Sequence, residues 1–216
     1  MTTLIQESLT ELQGKLNEMA EMVVDAINGS VDSLVDKDVE RAKQIKKNDK
    51  NINNIRWEIE EDCINLIATQ QPVASDLREL IALLNIITEL ERIGDYAAGI
   101  SKLTISIGDE KHVKSLIDIP RMRDIAVDMI ENSMKAYINR DAKSARMIHG
   151  QDDDIDELYQ QIYRELISYM IESPTKITQC NYLLWVAHNI ERMGDRVTNI
   201  CERIIYHATG DRADDL

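Results

Sequence analysis

The run Glu91-Arg92-Ile93-Gly94-Asp95 returns as Glu191-Arg192-Met193-Gly194-Asp195, 100 residues later in a chain of 216. A spacing close to half the length means one structural unit used twice, and this restricts the fold more than any other feature. The repeat extends beyond the motif. Asp38, Ile45, Ile52 and Ile59 are answered by Asp141, Ile148, Ile155 and Ile162 at an offset of 103. Pro72 and Pro174 pair at 102, so the second copy has lost residues around its proline turn. Two homologous halves follow, 1–110 and 111–216.

Each half reads as helical. With 8 glycines and 3 prolines in the whole chain, long stretches carry neither helix breaker. Leu9, Leu12, Leu16, Met19, Val23, Ala26 and Ile27 recur every three or four residues, the period of one helix face. Asp38 and Asp141 are suited to cap a second helix in each half, running to about Ala68 and Met170. A third helix follows each proline turn, marked by Leu77, Leu80, Leu84, Ile87 and Leu90, and by Leu183, Ala187 and Ile190. Residues 106–113 read as the linker, and Pro120 as the opening of the fourth helix, since proline suits a first turn. No strand pattern is present. The expectation is an all-α fold: six helices in two antiparallel three-helix bundles.

Composition narrows the partners. A formal charge of −14 argues against nucleic acid and against an anionic membrane surface, both of which need a basic face. Acidic, aromatic-poor chains are often disordered, but 44% hydrophobic content with regular periodicity predicts a packed core. No apolar run reaches the length of a membrane span, and Met1-Thr2-Thr3-Leu4-Ile5-Gln6 has no basic region or cleavage signal. Cys63, Cys180 and Cys201 are odd in number and lack C-x-x-C spacing. The expected setting is a reducing, cytoplasmic one with core thiols.

The repeated motif puts Glu91 with Asp95, and Glu191 with Asp195, on one helix face about one turn apart. Like charges at that spacing repel by a few tenths of a kcal/mol unless a cation lies between them. Gly94 and Gly194 could simply end their helices. The apolar stripe nevertheless continues through Ala97, Ala98 and Ile100, and through Val197, Ile200, Cys201, Ile204 and Ile205. A glycine inside a helix costs about 1 kcal/mol, so two of them imply a close approach or room for a ligand. The second helix of the later half adds Asp152 and Asp156, and Asp152 falls on the core stripe between Ile148 and Ile155. The first half has Asp49 and Asn53 in those places. Carboxylates from two helices thus face a shared seam, where buried charge must be paired, protonated or metal-bound. Oxygen donors suit hard cations such as Mg²⁺, Mn²⁺, Ca²⁺ or iron, and grouped acids have room for more than one ion per half.

Asp49-Lys50-Asn51-Ile52-Asn53, Gln71-Pro72-Val73-Ala74-Ser75-Asp76-Leu77-Arg78, Glu89 to Asp95 and Asn189 to Asp195 together closely resemble the PhoU family of phosphate-specific transport accessory proteins. The resemblance covers nearly the whole chain in order. It implies two three-helix bundles, often in a homodimer. It also implies multinuclear metal sites, with iron, Mn, Mg, Zn or Ca as candidate ions. The matching positions are Glu91 and Asp95, Glu191 and Asp195, Asp152 and Asp156, and Asp49. Asn53 leaves the first site one charge poorer, and Pro174-Thr175-Lys176-Ile177-Thr178 departs from the Pro-Val-Ala-Ser-Asp-Leu-Arg loop of the first half. In function the resemblance implies a negative regulator rather than an enzyme. Such a protein connects a phosphate ABC transporter, through its ATPase, to a membrane sensor histidine kinase.

Two alternatives stand beside that reading. One is a metal-free helical adaptor whose acid pairs are closed by Arg92 and Arg192. The other is a di-iron carboxylate enzyme, disfavoured because such sites need paired Glu-x-x-His motifs, whereas His188-Asn189-Ile190-Glu191 runs in reverse and Thr88 holds the equivalent position before Glu91. His149 and His188 lie near the richer acid cluster; each is either structural or a ligand that would turn the second site toward transition metals.

Overall fold

The computed structural model describes the backbone of residues 2–211 and the side chains from Ile5 to Asp211. Met1 and residues 212–216, the outer ends of the two expected halves, lie outside the described residues, as do the side chains of Thr2, Thr3 and Leu4. The described chain is helical throughout, with no strand. Helix α1 spans Thr2–Asp36, α2 Val39–Gln70 and α3 Ser75–Ile107. The second half comprises α4 (Asp118–Asn139), α5 (Ala142–His149), α6 (Asp152–Glu172), a 3₁₀ turn at Pro174–Lys176 and α7 (Ile177–Thr209). Helices α5 and α6 together correspond to α2, so six helical columns form two three-helix bundles.

The first turn of each half is built the same way. Lys37 (φ 57°) and Arg140 (φ 50°) adopt the left-handed conformation that ends a helix, although neither is glycine. The next amide reaches back five residues, Asp38 N to Ser33 O at 2.8 Å and Asp141 N to Ala136 O at 2.9 Å, satisfying carbonyls the helix end leaves open. Each aspartate then caps the following helix. Asp38 accepts from Arg41 N at 2.9 Å, and Asp141 accepts from Lys143 N and Ser144 N at 3.1 and 3.0 Å. Both caps expected from the sequence are therefore present.

Three details depart from the sequence expectation. Helix α3 continues to Ile107 and α4 opens at Asp118, so the connection is 108–117 rather than 106–113, with Pro120 in the first turn of α4 but not its first residue. The helix expected from Asp141 to Met170 is interrupted at Gly150-Gln151. Both residues keep right-handed helical angles, and the amides of Gln151 and Asp154 bond three residues back, to Ile148 O and Gln151 O. The axis continues, but α6 restarts at Asp152, where three successive aspartates occupy a favourable N-terminal turn.

The two halves are joined chiefly by α3 against α7, with α1 against α4 as a second seam. Glu89 accepts from Arg196 at 3.3 Å and from Asn199 at 3.5 Å, while a Cβ on Gly99 would meet Asn189 Nδ2 at 3.3 Å. Those pairings run in opposite directions, so α3 and α7 are antiparallel and the two Glu-Arg-x-Gly-Asp motifs lie side by side at their crossing. The cores are closed by Leu16, Met19, Val23, Ile27, Ile86, Leu90, Ile93, Ile190, Met193 and Val197, each at most 1% exposed. The three thiols are free and buried. Burial pushes those of Cys63 and Cys201 up to about 12, which leaves them inert as nucleophiles.

Candidate metal centre

The glycines of the repeated motif stay inside continuous helices, and their role is spatial. A Cβ on Gly94 would lie 3.1 Å from Ile52 Cδ1 and 3.7 Å from Asp49 Oδ1. A Cβ on Gly194 would collide with Asp152 Oδ1 and stand 3.1 Å from Ile155 Cδ1. Hydrogen at each position lets α2 approach α3, and α6 approach α7, closely enough for a facing aspartate to rest against the helix backbone. The pattern of two seams, each with carboxylates from two helices, is thus built into the packing.

In the first seam Asp49 on α2 faces Glu91 and Asp95 on α3. Burial, then the charge of Asp95, pushes Asp49 above the ordinary carboxylate value, with Lys102 opposing. Glu91 is also raised, first by burial and then by Asp95; Arg56 opposes, Asp49 adds to the rise, and Arg92 opposes more weakly. Asn53 donates to Asp49 over a long 3.5 Å contact, and its own carbonyl oxygen is buried without a partner.

The second seam is more heavily charged. Asp152 is pushed up to about 7, first by burial and then by Asp156, Asp195, Glu191 and Asp153. Burial, then Asp195 and Asp153, raises Asp156. Glu191 is raised by burial and Asp195, with His188 opposing. Oδ1 of Asp152 and Oε2 of Glu191 are buried and make no hydrogen bond. A buried carboxylate oxygen without a donor is costly, and a cation relieves that cost directly.

All seven expected residues fall in these two seams: Asp49, Glu91 and Asp95 in one, Asp152, Asp156, Glu191 and Asp195 in the other. Among the described residues, no three His, Cys, Asp or Glu side chains converge closely enough to enclose an ion as they stand. The donor chemistry and the orphaned oxygens of Asp152, Glu191 and Asn53 fit a hard or borderline cation. Some positive charge is already nearby. Arg192 forms an ion pair with Asp195, whereas Arg92 turns to Glu89 at 3.6 Å. The arginine closure considered from the sequence therefore applies to one carboxylate of the second seam and to neither motif acid of the first.

Three neighbours were not legible as site residues. Tyr159 stacks 6.1 Å from His188, and its hydroxyl is raised by burial and by Glu191. Arg56 occupies the corresponding place in the first half. Glu89 pairs with Arg92 on its own helix and ties the two motif helices together through Arg196 and Asn199. The helical period would have placed Arg56 and Tyr159 on the seam, since each lies three residues beyond Asn53 or Asp156. His149 is half-buried in the last turn of α5, with no ion pair to the carboxylates among the described residues.

A family model described as the PhoU domain matches the chain twice, at residues 16–104 and 119–204. The chain belongs to the PhoU family. The phosphate-specific transport system accessory protein PhoU homolog of Clostridium acetobutylicum is 39% identical over 216 residues, covering 99% of each chain. PhoU of Escherichia coli K12, which bears the same accessory-protein name, is 32% identical over 94% of this chain and 84% of its own length. The crystal structure of PhoU from Pseudomonas aeruginosa superposes with a TM-score of 0.90 at 29% identity, covering 95% of this chain and 99% of that one. The phosphate transport system regulatory protein PhoU of Streptococcus pneumoniae gives the same TM-score and identity over 97% and 99%. Family membership and the all-helical repeat fold thus agree with the sequence expectation. No helix among the described residues is long and apolar enough to cross a membrane.

Proposed function

We propose that this protein is a cytoplasmic, non-enzymatic regulator of phosphate transport that restrains uptake and the starvation response when phosphate is plentiful. It acts between the ATPase of a phosphate ABC transporter and a sensor histidine kinase, as a homodimer, with divalent or transition metal ions held in the carboxylate seams. The observation that carries the regulatory reading is the near full-length likeness to accessory and regulatory proteins of phosphate transport.

The residues divide the work as follows. Asp49 would hold an ion from α2 while Glu91 and Asp95 hold it from α3; Asp152 and Asp156 on α6 would face Glu191 and Asp195 on α7. A bound cation neutralises carboxylates that otherwise repel one another and ties two helices of a bundle together. Glu89 joins the two motif helices through Arg196 and Asn199, so the two seams share the α3–α7 contact. Deletion of the gene is expected to derepress phosphate-repressible phosphatase in high phosphate; continued full repression would contradict the assignment.

The Arg192–Asp195 ion pair favours a second reading, an adaptor that needs no metal. Metal analysis of protein purified without chelator separates the two. Bound ions in the seams, and a melting temperature lowered by EDTA, are expected on the first reading only.

A further inference from the structure

The two seams share a backbone plan but differ at three corresponding positions, and the differences act in one direction. Where the second half has Asp156, the first has Asn53. Where the second has Tyr159, the first has Arg56, whose charge bears on Glu91 and whose guanidinium lies 3.0 Å from Glu60 and 4.8 Å from the Trp57 ring centre. Where the second has His188, the first has Thr88, and its hydroxyl is committed to Leu84 O at 2.9 Å. The first seam therefore holds three carboxylates beside a fixed cation and offers no nitrogen donor.

In the second seam, Nδ1 of His188 stands 3.2 Å from Oε2 of Glu191, yet that oxygen makes no hydrogen bond. Nδ1 and Oε2 thus stand side by side with no hydrogen bond between them. The imidazole is held in place by rings on two sides, Trp185 edge-on at 5.6 Å and Tyr159 tilted at 6.1 Å. A ring fixed in this way loses little freedom on taking a metal ion, and an imidazole nitrogen added to carboxylate oxygens favours borderline ions such as Zn²⁺ over Mg²⁺.

Resting on the metal-binding reading above, we infer that the seams are chemically unequal. The second takes a transition metal ion with Nδ1 of His188 as a ligand beside Glu191. The first is an oxygen-only site for hard cations, weakened by the positive charge of Arg56.

The test is calorimetric titration of the chelator-stripped full chain with Zn²⁺ and, separately, Mg²⁺. Asp49→Asn with Asp95→Asn isolates the second seam, and Asp152→Asn with Asp195→Asn isolates the first; far-UV circular dichroism checks that each variant remains helical. The isolated second seam is expected to prefer Zn²⁺. His188→Thr should weaken Zn²⁺ there by at least the about 10–100-fold that loss of a supporting residue around a metal typically costs, while leaving Mg²⁺ binding unchanged. Arg56→Tyr should tighten Mg²⁺ binding in the isolated first seam. An unchanged ratio of Zn²⁺ to Mg²⁺ affinity in His188→Thr, with ions still bound, would overturn this inference and leave the carboxylate sites standing. Failure of the wild-type chain to bind either ion would overturn both.

Discussion

Replacing Asp152 by asparagine should stabilise the metal-free protein and remove its second-seam ion, a trade of stability for binding. Asp152 is half-buried and raised to about 7 from an ordinary 3.8. At about 1.4 kcal/mol per tenfold change, that displacement corresponds to about 4 kcal/mol as an upper bound. Solvent screening of a half-exposed carboxylate reduces it to about 1.5–2 kcal/mol. Opposing this, a negative charge in the first turn of α6 is worth about 0.5 kcal/mol, so burial and repulsion win. The sign follows from proton binding. Between pH 3.8 and about 7 the folded state holds the Asp152 proton more tightly than the unfolded state, so apoprotein stability falls as pH rises through that window and levels off above it. Asp152→Asn is therefore expected to melt about 2–6 °C above wild type at pH 8 in EDTA, a gain of about 1–1.5 kcal/mol. The gain should shrink as pH falls and vanish near pH 4. Adding Zn²⁺ in excess of chelator should stabilise the wild type more than the variant. Destabilisation of the EDTA-treated variant at pH 8, or a gain independent of pH, would refute the argument.

The glycines give a second contrast. Gly94→Ala and Gly194→Ala each gain about 1 kcal/mol of helix propensity, offset by the Ile52 and Ile155 methyls at 3.1 Å, so both should melt close to wild type. Only Gly194→Ala forces a carboxylate aside, and unchanged second-seam metal affinity in that variant would contradict the close-approach role. Glu79 is 2% exposed and accepts from Gln13 and Arg140, each at 2.7 Å, with His207 beside it. Burial alone would raise its carboxyl, but His207, Gln13 and Arg140 outweigh it and hold the group below the ordinary value. Its contribution is present above pH 4.5 and lost as pH falls through the lower folded value. Glu79→Gln should cost about 3 kcal/mol at pH 7 in denaturant unfolding, and the loss should diminish in acid; a pH-independent loss would count against the ionic role. Asp141→Ala should lower the melting temperature through the lost cap of α5, and an unchanged thermal midpoint would show that its cap bonds contribute nothing.

Much of this architecture follows from the sequence because its signals are local and periodic. Asp38 and Asp141 act as caps through bonds to amides two or three residues ahead, and the apolar stripes of α1, α3 and α7 have the helical period. The break at Gly150-Gln151 was less legible: the stripe from Ile148 to Ile155 continues across it, so only hydrogen bonds shift. The end of α3 was likewise obscured, since Ile107 remains apolar to the last turn and Gly108 alone marks the stop.

The repeat of Glu-Arg-x-Gly-Asp by itself determined a duplicated helical fold with two acid pairs, and the identities of Asp49, Asp152 and Asp156 marked the opposing walls. Tertiary structure decided which groups those walls meet. The antiparallel contact of α3 with α7 sets the motifs side by side, and the arginines part company: Arg192 pairs with Asp195, Arg92 turns to Glu89, and Arg56 stands beside Glu91. Tyr159 and Trp185 fix the His188 ring from two helices. Those choices depend on which faces of separate helices press together, a matter of packing distances across the chain that residue spacing along one helix does not contain.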